Sequence, residues 1–514
     1  MWTRPRPALV GLALACGAIA GPAAAEKPLS AIDWLSDSVT QPAVRAAPPA
    51  LSPGPRTEPI EVTPLTGTSA DAVGLLPAQV SGLPRDLWGP GRPAEIARAI
   101  RAERVDTLPA IQALLFTLLL SELDPPEGAR ADKRGVLLLA RLDKLLDLGA
   151  LDQAQALVER AGPTDPELFR RWFDISLLTG QEDRACAAMR ATPDVAPTFP
   201  ARVFCLARGG DWNAAALTLE TARALGFISD EDDELLARFL DPEQAEGAPP
   251  LPAPTRPSPL IFRMREAVGE PLATTRLPLA FARSDLRSNA GWKARIEAAE
   301  RLARTGALPP NQLLGIWTER KPAASGGLWD RVAALQAFDV AMLAGKPGPV
   351  ARALGPAWAA MVAAELEVPF AQLYGTRLAR LELEGEAARL AFRIGLLGDD
   401  YEAIAQARQP ASAEEGFLIA LATGELDGVS PPDPLGAALI DGFGPGADPG
   451  AAQLRLLADG RLGEAILAAI DLITDGARGD IGDVTRALAV LRKVGLESVA
   501  RQSALQLMLL ERRG

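Results

Sequence analysis

GALDQA at 149–154, GQEDRA at 180–185 and GDWNAA at 210–215 are three versions of one element: a glycine, four intervening positions, then an alanine, recurring at nearly even intervals from Gly149 to Gly180 to Gly210. The element returns as GDDYEA (398–403), GRLGEA (460–465) and GLESVA (495–500). Ahead of each glycine lies a leucine-rich stretch with apolar residues at helical spacing, such as VLLLARLDKLLDL (136–148) or ARVFCLAR (201–208). Behind it lies a second such stretch, such as DQAQALVERAG (152–162) or NAAALTLETARALG (213–226). This is the pattern of a helical hairpin. Glycine ends the first helix in the left-handed conformation at no steric cost. An Asp, Asn or Glu two or three places later caps the second helix. The alanine falls where the two helices approach most closely. A single hairpin cannot bury its apolar face, so neighbours must stack. The sequence therefore predicts an all-α chain, an α-solenoid of degenerate hairpins, with Gly149, Gly180, Gly210, Gly398, Gly460 and Gly495 at its turns.

Composition agrees with that pattern. Hydrophobic residues make up 48% of the 514, yet aromatics only 5%, so the apolar content is mainly Ala and Leu and favours helix over sheet. Proline divides the chain. Seven prolines fall in 41–65 and seven more between Pro242 and Pro259, and such stretches read as semi-extended linkers. The expected organisation is a signal peptide (1–25), a short docking segment (26–40), a disordered Pro-rich linker (41–92), a helical-repeat half (93–241), a Pro-rich connector (242–260) and a second helical-repeat half (261–514).

The stretch 1–25 has the three parts of a secretory signal. Arg4 and Arg6 supply positive charge, ALVGLALACGAIA (8–20) is a short apolar core, and Ala23-Ala24-Ala25 is a small-residue cleavage site. The core is shorter than the roughly 20 residues a bilayer span requires, and no later segment reaches that length free of charge or proline. The expectation is a periplasmic protein without a transmembrane span in its mature form. Cys16 offers a lipoprotein alternative, against which Leu14 sits one place too close to the cysteine. Loss of Arg4 and Arg6 takes the formal charge from −12 to −14, which argues against nucleic acid or anionic lipid as partners.

The chain contains no histidine, so every Ser-His and Cys-His nucleophilic system and the commonest metal ligand are excluded. Recognisable nucleophile, phosphate-loop and metal motifs are also missing from the sequence, and no cofactor is implied. The densest acidic run, SDEDDE (229–234), reads as a helix start, with Ser229 as cap and the acids in the first turn. The cysteines of the mature chain, Cys186 and Cys205, flank the connection 192–199 between two antiparallel helices. They are expected either to form a disulfide or to fill a helix interface as small thiols. The tryptophans 88, 172, 212, 292, 317, 329 and 358 lie on or beside helices, where most are expected to serve as core and the rest to line a groove.

Two resemblances rest on particular residues. GDDYEAIAQA (398–407) and GALDQAQALVERAG (149–162) resemble the helix-turn-helix core of tetratricopeptide repeats, with spacing that drifts from 26 (Gly398 to Gly424) to 36 (Gly424 to Gly460). The chain as a whole is similar to a group of exported alphaproteobacterial helical-repeat proteins, sometimes labelled antifreeze-glycopeptide-related. AIDWLSDSV (31–39), LPRDLWG (83–89), WFDISLLTGQEDRAC (172–186), RVFCLARGGDW (202–212) and PAASGGLWDRV (322–332) carry that likeness. This resemblance implies export and helical architecture, and it supplies no activity.

Before the first proline run, AIDWLSDSV is too short to fold alone. Read as a helix, Ile32, Leu35 and Val39 share one face with Trp34 off it, so these four are candidates for docking, in cis or onto another envelope protein or peptide. The functional expectation is a non-enzymatic periplasmic interaction scaffold or assembly factor. The alternatives are a small-ligand or cell-wall-glycan binding module, and an envelope glycan hydrolase using a carboxylate pair.

Overall fold

A computed structural model of the chain describes residues 69–127, 135–243 and 246–510. The expected signal peptide, Cys16, the docking segment with Ile32, Trp34, Leu35 and Val39, and residues 41–68 lie outside them.

The described chain is all-α. It begins with α1 (Ala78–Ser81), α2 (Pro93–Ala102), α3 (Pro109–Leu120), α4 (Val136–Asp147), α5 (Leu151–Ala161) and α6 (Pro166–Thr179). Next come α7 (Glu182–Ala191), α8 (Phe199–Arg208), α9 (Trp212–Ala224), α10 (Asp230–Leu240), α11 (Pro259–Ala267) and α12 (Trp292–Arg304). These are followed by α13 (Pro310–Thr318), α14 (Leu328–Ala344), α15 (Pro347–Val362), α16 (Glu367–Ala379), α17 (Gly385–Gly395) and α18 (Tyr401–Gln406). The last are α19 (Ala413–Thr423), α20 (Pro434–Phe443), α21 (Ala451–Ala458), α22 (Leu462–Gly476), α23 (Ile481–Lys493) and α24 (Glu497–Leu509).

Local chemistry sets the helix starts. Proline opens α2, α3, α6, α11, α15 and α20, where its missing N–H is no loss. The side chains of Asp165, Thr198, Ser258, Ser412 and Asp433 accept first-turn N–H bonds. From α4 to α11, and again from α12 to α19, each helix packs on the next along the chain, as stacked hairpins require.

The two halves pack against one another. The segment Leu279–Leu286 lies on both α6 and α12. Across the halves Arg263 pairs with Glu182 at 2.7 Å and Arg283 with Asp152 at 3.1 Å. The Ser284 hydroxyl donates to the Leu178 carbonyl at 3.0 Å, and the Thr305 hydroxyl to that of Leu148 at 2.8 Å. The Pro-rich connector is pinned as well, since the Leu251 N–H donates to Glu270 and Arg265 reaches the Pro252 carbonyl.

The first helices pack against the last. α3 lies on α24 and α2 on α22. The Ala110 N–H donates to Oε1 of Gln506 at 2.9 Å, and the buried hydroxyls of Thr107 and Thr474 meet at 2.7 Å. A solenoid normally needs polar caps on its terminal repeats. Here each end covers the other.

The boundary expected for the Pro-rich linker, residue 92, is corrected by the packing of residues 69–92. Leu75, Leu76, Leu83, Leu87 and Trp88 are all buried. Leu76 N–H donates to Leu120 O, and Glu122 N–H returns a bond to Leu76 O, so this strap is held by backbone as well as by side chains. Further along, Gly463 N–H donates to Leu87 O at 2.8 Å, and the Trp88 ring lies so close to Gly463 that a Cβ there would stand 2.5 Å from it. Trp88 thus seats a segment from the beginning of the described chain on the first turn of α22. Replacing Trp88 with Ala is expected to cost about 3–5 kcal/mol, the usual range for a buried large aromatic. Urea unfolding followed by circular dichroism measures it, and a loss under about 1 kcal/mol would show that the strap is not part of the core.

Candidate functional site

The repeat turns are built alike in five of six copies. Gly149, Gly180, Gly210, Gly460 and Gly495 all have positive φ, between 71° and 84°. In each, the N–H one place after the glycine donates to the carbonyl four before it: Ala150 to Leu145, Gln181 to Ser176, Asp211 to Leu206, Arg461 to Leu456 and Leu496 to Leu491. This is the Schellman closure of a helix end. The next helix then starts two places after the glycine, at Leu151, Glu182, Trp212, Leu462 and Glu497. With that register fixed, Ala154, Ala185, Ala215, Ala465 and Ala500 are completely buried. The expected side-chain caps are mostly not used. The side-chain cap among these five copies is Asp211, one place after its glycine rather than two or three, which accepts from Ala214 N–H at 3.1 Å.

Gly398 departs from the expectation. Its φ is not left-handed, its N–H donates to Gly395 O, and α18 starts three places later, at Tyr401. A delay of one position turns the helix by roughly 100°. Ala403 is consequently exposed, and Ala405 takes the buried place. Glycine is kept at 398 for close approach instead, since a Cβ would meet the Ala371 carbonyl oxygen at 3.2 Å.

A groove of about 590 Å³ opens where this copy slips, between the end of α16, the 380–383 loop, α17 and α18. Exposed Ala379, Ala403 and Ala407 and half-buried Leu381, Leu383 and Ile404 line it. Its polar groups are mostly satisfied within the protein. Arg408 pairs with Glu415 at 2.9 Å and lies 4.7 Å over the Phe392 ring, while Asp400 accepts from the Thr376 hydroxyl at 2.6 Å.

Further clefts are present among the described residues. One of about 440 Å³ lies beside Trp212 and Phe239, with Arg208 and Asp183 on its wall. Another of about 750 Å³ lies at the junction of first and last helices, lined by Leu108, Arg393, Asp433, Arg478 and Gln506 among others. Of the seven tryptophans, Trp88, Trp172 and Trp317 are core, Trp292, Trp329 and Trp358 are half-buried, and Trp212 is exposed.

The buried charges hold helices together. Glu300 takes a two-pronged bond from Arg331 and a third from the Trp317 indole N–H at 3.1 Å. Glu182 lies between Arg263 and Arg208. Ser229 caps α10 through the Asp232 N–H at 3.1 Å, with Asp233 of the acidic run paired to Arg223. Among the described residues no group of three or more His, Cys, Asp or Glu is placed to hold a metal ion. Among the same residues no helix is long and apolar enough to cross a membrane.

One carboxylate pair escaped the sequence reading. Glu103 is buried at the end of α2, its Oε2 has no hydrogen-bond partner, and neighbouring Lys144 donates to its backbone carbonyl and to Asp147 rather than to its carboxylate. Burial first, and then the charge of Asp471 on α22, push the Glu103 carboxyl up to about 9, so it keeps its proton at neutral pH. Asp471 is itself raised, by burial and by Asp475. Neither residue lines the clefts described above, and the pair belongs to the contact between α2 and α22, with Glu103 buried and Asp471 exposed. Only the three-dimensional meeting of two segments from opposite ends of the described chain creates it, and no local signal announces it.

Cys186 and Cys205 are joined in a disulfide, with Cα atoms 4.9 Å apart, tying α7 to α8. Comparison with protein-family models, with curated proteins and with solved structures finds no match to this chain.

Two tests follow from this geometry. Alkylation without reductant should label neither Cys186 nor Cys205, and reduction should lower stability by about 3 kcal/mol, the chain-entropy value for a loop near this sequence separation of 19. Two labelled thiols in the unreduced protein would refute the bridge. For Glu103, the folded pKa lies above the ordinary 4.5, so its contribution to stability is complete below that pH and is lost as pH rises towards about 9. Glu103→Gln should therefore raise the melting temperature at pH 8 and leave it unchanged at pH 4. A variant that melts lower than the parent at pH 8 would show that the carboxylate is ionised and useful in the fold.

Proposed function

We propose that this chain is a non-enzymatic interaction scaffold or assembly factor that acts in the periplasm on other envelope proteins or peptides. The observation that carries the reading is where apolar side chains remain exposed. In the α8–α9 hairpin and the turn after it, Trp212 is 51% exposed, Leu217 69%, Leu225 58% and Phe227 60%. Large exposed apolar side chains concentrated in one hairpin mark binding surfaces for other macromolecules. The polar chemistry points the same way, since the buried carboxylates of Glu182, Glu300 and Glu415 are each held by arginine inside the structure. Stacked helical hairpins present extended surfaces suited to such partners, an argument from architecture. The disulfide and the signal-like stretch 1–25 support an oxidising, exported location.

The reading is tested with a photo-crosslinking residue placed at Leu217 in the full chain expressed in cells. Discrete protein adducts are expected, and they should disappear when Trp212→Ala and Phe227→Ala are combined, with the fold unchanged by circular dichroism. Absence of protein adducts, together with hydrolysis of purified peptidoglycan by the mature protein, would overturn it in favour of an enzyme.

A further inference from the structure

The slipped repeat at Gly398 has a consequence for binding. In the five regular copies the motif alanine is completely covered because a neighbouring helix lies against it. In the sixth the same alanine, Ala403, is open, and the surface beside it is a groove walled by helices on two sides. The groove is therefore lined by a small-residue helix face that the regular copies keep inside, with Ala405 filling the packed place in its stead. Its wall supports the same conclusion. Alanines at 379, 403 and 407 allow close backbone approach, while Leu381, Leu383 and Ile404 supply apolar contact.

Charge narrows the occupant. Arg408 is neutralised by Glu415, and Asp400 is engaged by Thr376. Arg380, exposed on the groove wall, makes no side-chain hydrogen bond or ion pair among the described residues. A small molecule bound with specificity would need several convergent polar groups, and this groove offers one free cation among the described residues. An amphipathic helix needs an apolar trough with a charge at its edge, and the groove has that form.

We infer that the groove between α16, α17 and α18 receives a short amphipathic helix of a partner protein, with small and leucine-type residues on its buried face and a carboxylate opposite Arg380. This rests on the scaffold reading and deepens it by naming one site and the chemistry of its occupant.

Synthetic peptides test it against the intact mature protein by isothermal titration or fluorescence anisotropy. Three probes of about four helical turns are used: a helix with Leu and Ala at i, i+3, i+4 and i+7 and Glu on its flanks, the same helix with Lys replacing Glu, and a scramble of the first. The acidic helix is expected to bind about tenfold tighter than the basic one, a difference of about 1.4 kcal/mol. Ala403→Trp and Ala407→Trp, both at exposed positions, should each weaken binding at least about tenfold while circular dichroism and melting temperature stay at parental values. Arg380→Glu should remove or invert the charge preference. Failure of every probe to bind, equal binding of the scramble, or indifference to Ala403→Trp would overturn the inference. Crosslinking in cells separates this failure from that of the wider reading. Adducts from Leu217 but none from Ala407 would leave the scaffold standing and dismiss the groove.

Discussion

The buried guanidinium of Arg141 holds together the part of the fold on which the rest depends. It is almost wholly enclosed, and it donates to four carbonyls, Leu119 and Ser121 at the end of α3 and Asp71 and Val73 in the strap. Burial lowers its pKa to about 10, with Asp71 acting in the opposite sense, so the group stays charged at neutral pH. The Asp71 carboxylate meanwhile accepts from the N–H groups of Gly135 and Leu138 and anchors the start of α4. A planar five-donor fork suits this task, since one side chain satisfies several carbonyls that have no other partner inside a helical protein. Removing it would leave those oxygens buried and unmatched, and the strap would lose its footing at one end. Trp88 on Gly463 fixes the other end. Between these two anchors the beginning of the described chain is carried across to α22.

The hairpins were legible in the sequence because their signal is local. A glycine that must be left-handed, an alanine that must be small and a helical apolar period are all readable within a single repeat. The strap was not legible for the opposite reason. Its prolines and glycines read as linker, and its buried Leu75, Leu76, Leu83, Leu87 and Trp88 follow no single period. What holds it is backbone pairing with the end of α3 and a contact with Gly463, far down the chain, and neither leaves a periodic trace. Glu103 escaped for the same reason, because an acid at a helix end looks solvated until α22 covers it.

The Gly398 copy lies between these cases. GDDYEA fits the glycine-to-alanine motif of the other copies. The motif string nevertheless does not set register; the backbone closure after the glycine does. In five copies a bond from the following N–H to the carbonyl four places before the glycine forces the next helix to begin at once. In the sixth that bond is missing and the helix begins one position late. The double acid after Gly398 was the available hint, since it sets Asp400 one place further on as the residue preceding the helix. A shift this small costs little in the turn, yet it moves a whole column of side chains from the interior to the surface.

That asymmetry bears on where a closed helical array can meet a partner. In an open solenoid the terminal repeats expose an apolar face that must be capped. Here α2 packs on α22 and α3 on α24, so the ends cover each other, with the cleft of about 750 Å³ left at their junction. The regular hairpins are equally occupied, because their small residues are already in contact with neighbouring helices. Surface suitable for a helix or an extended peptide therefore remains where the stacking rule is broken. That place is the slipped copy at Gly398; the α8–α9 hairpin, a regular copy that packs on α10, adds only the exposed side chains of Trp212, Leu217 and Leu225. The departure at Gly398, rather than the repeat itself, opens that groove, while the regular copies supply the frame around it.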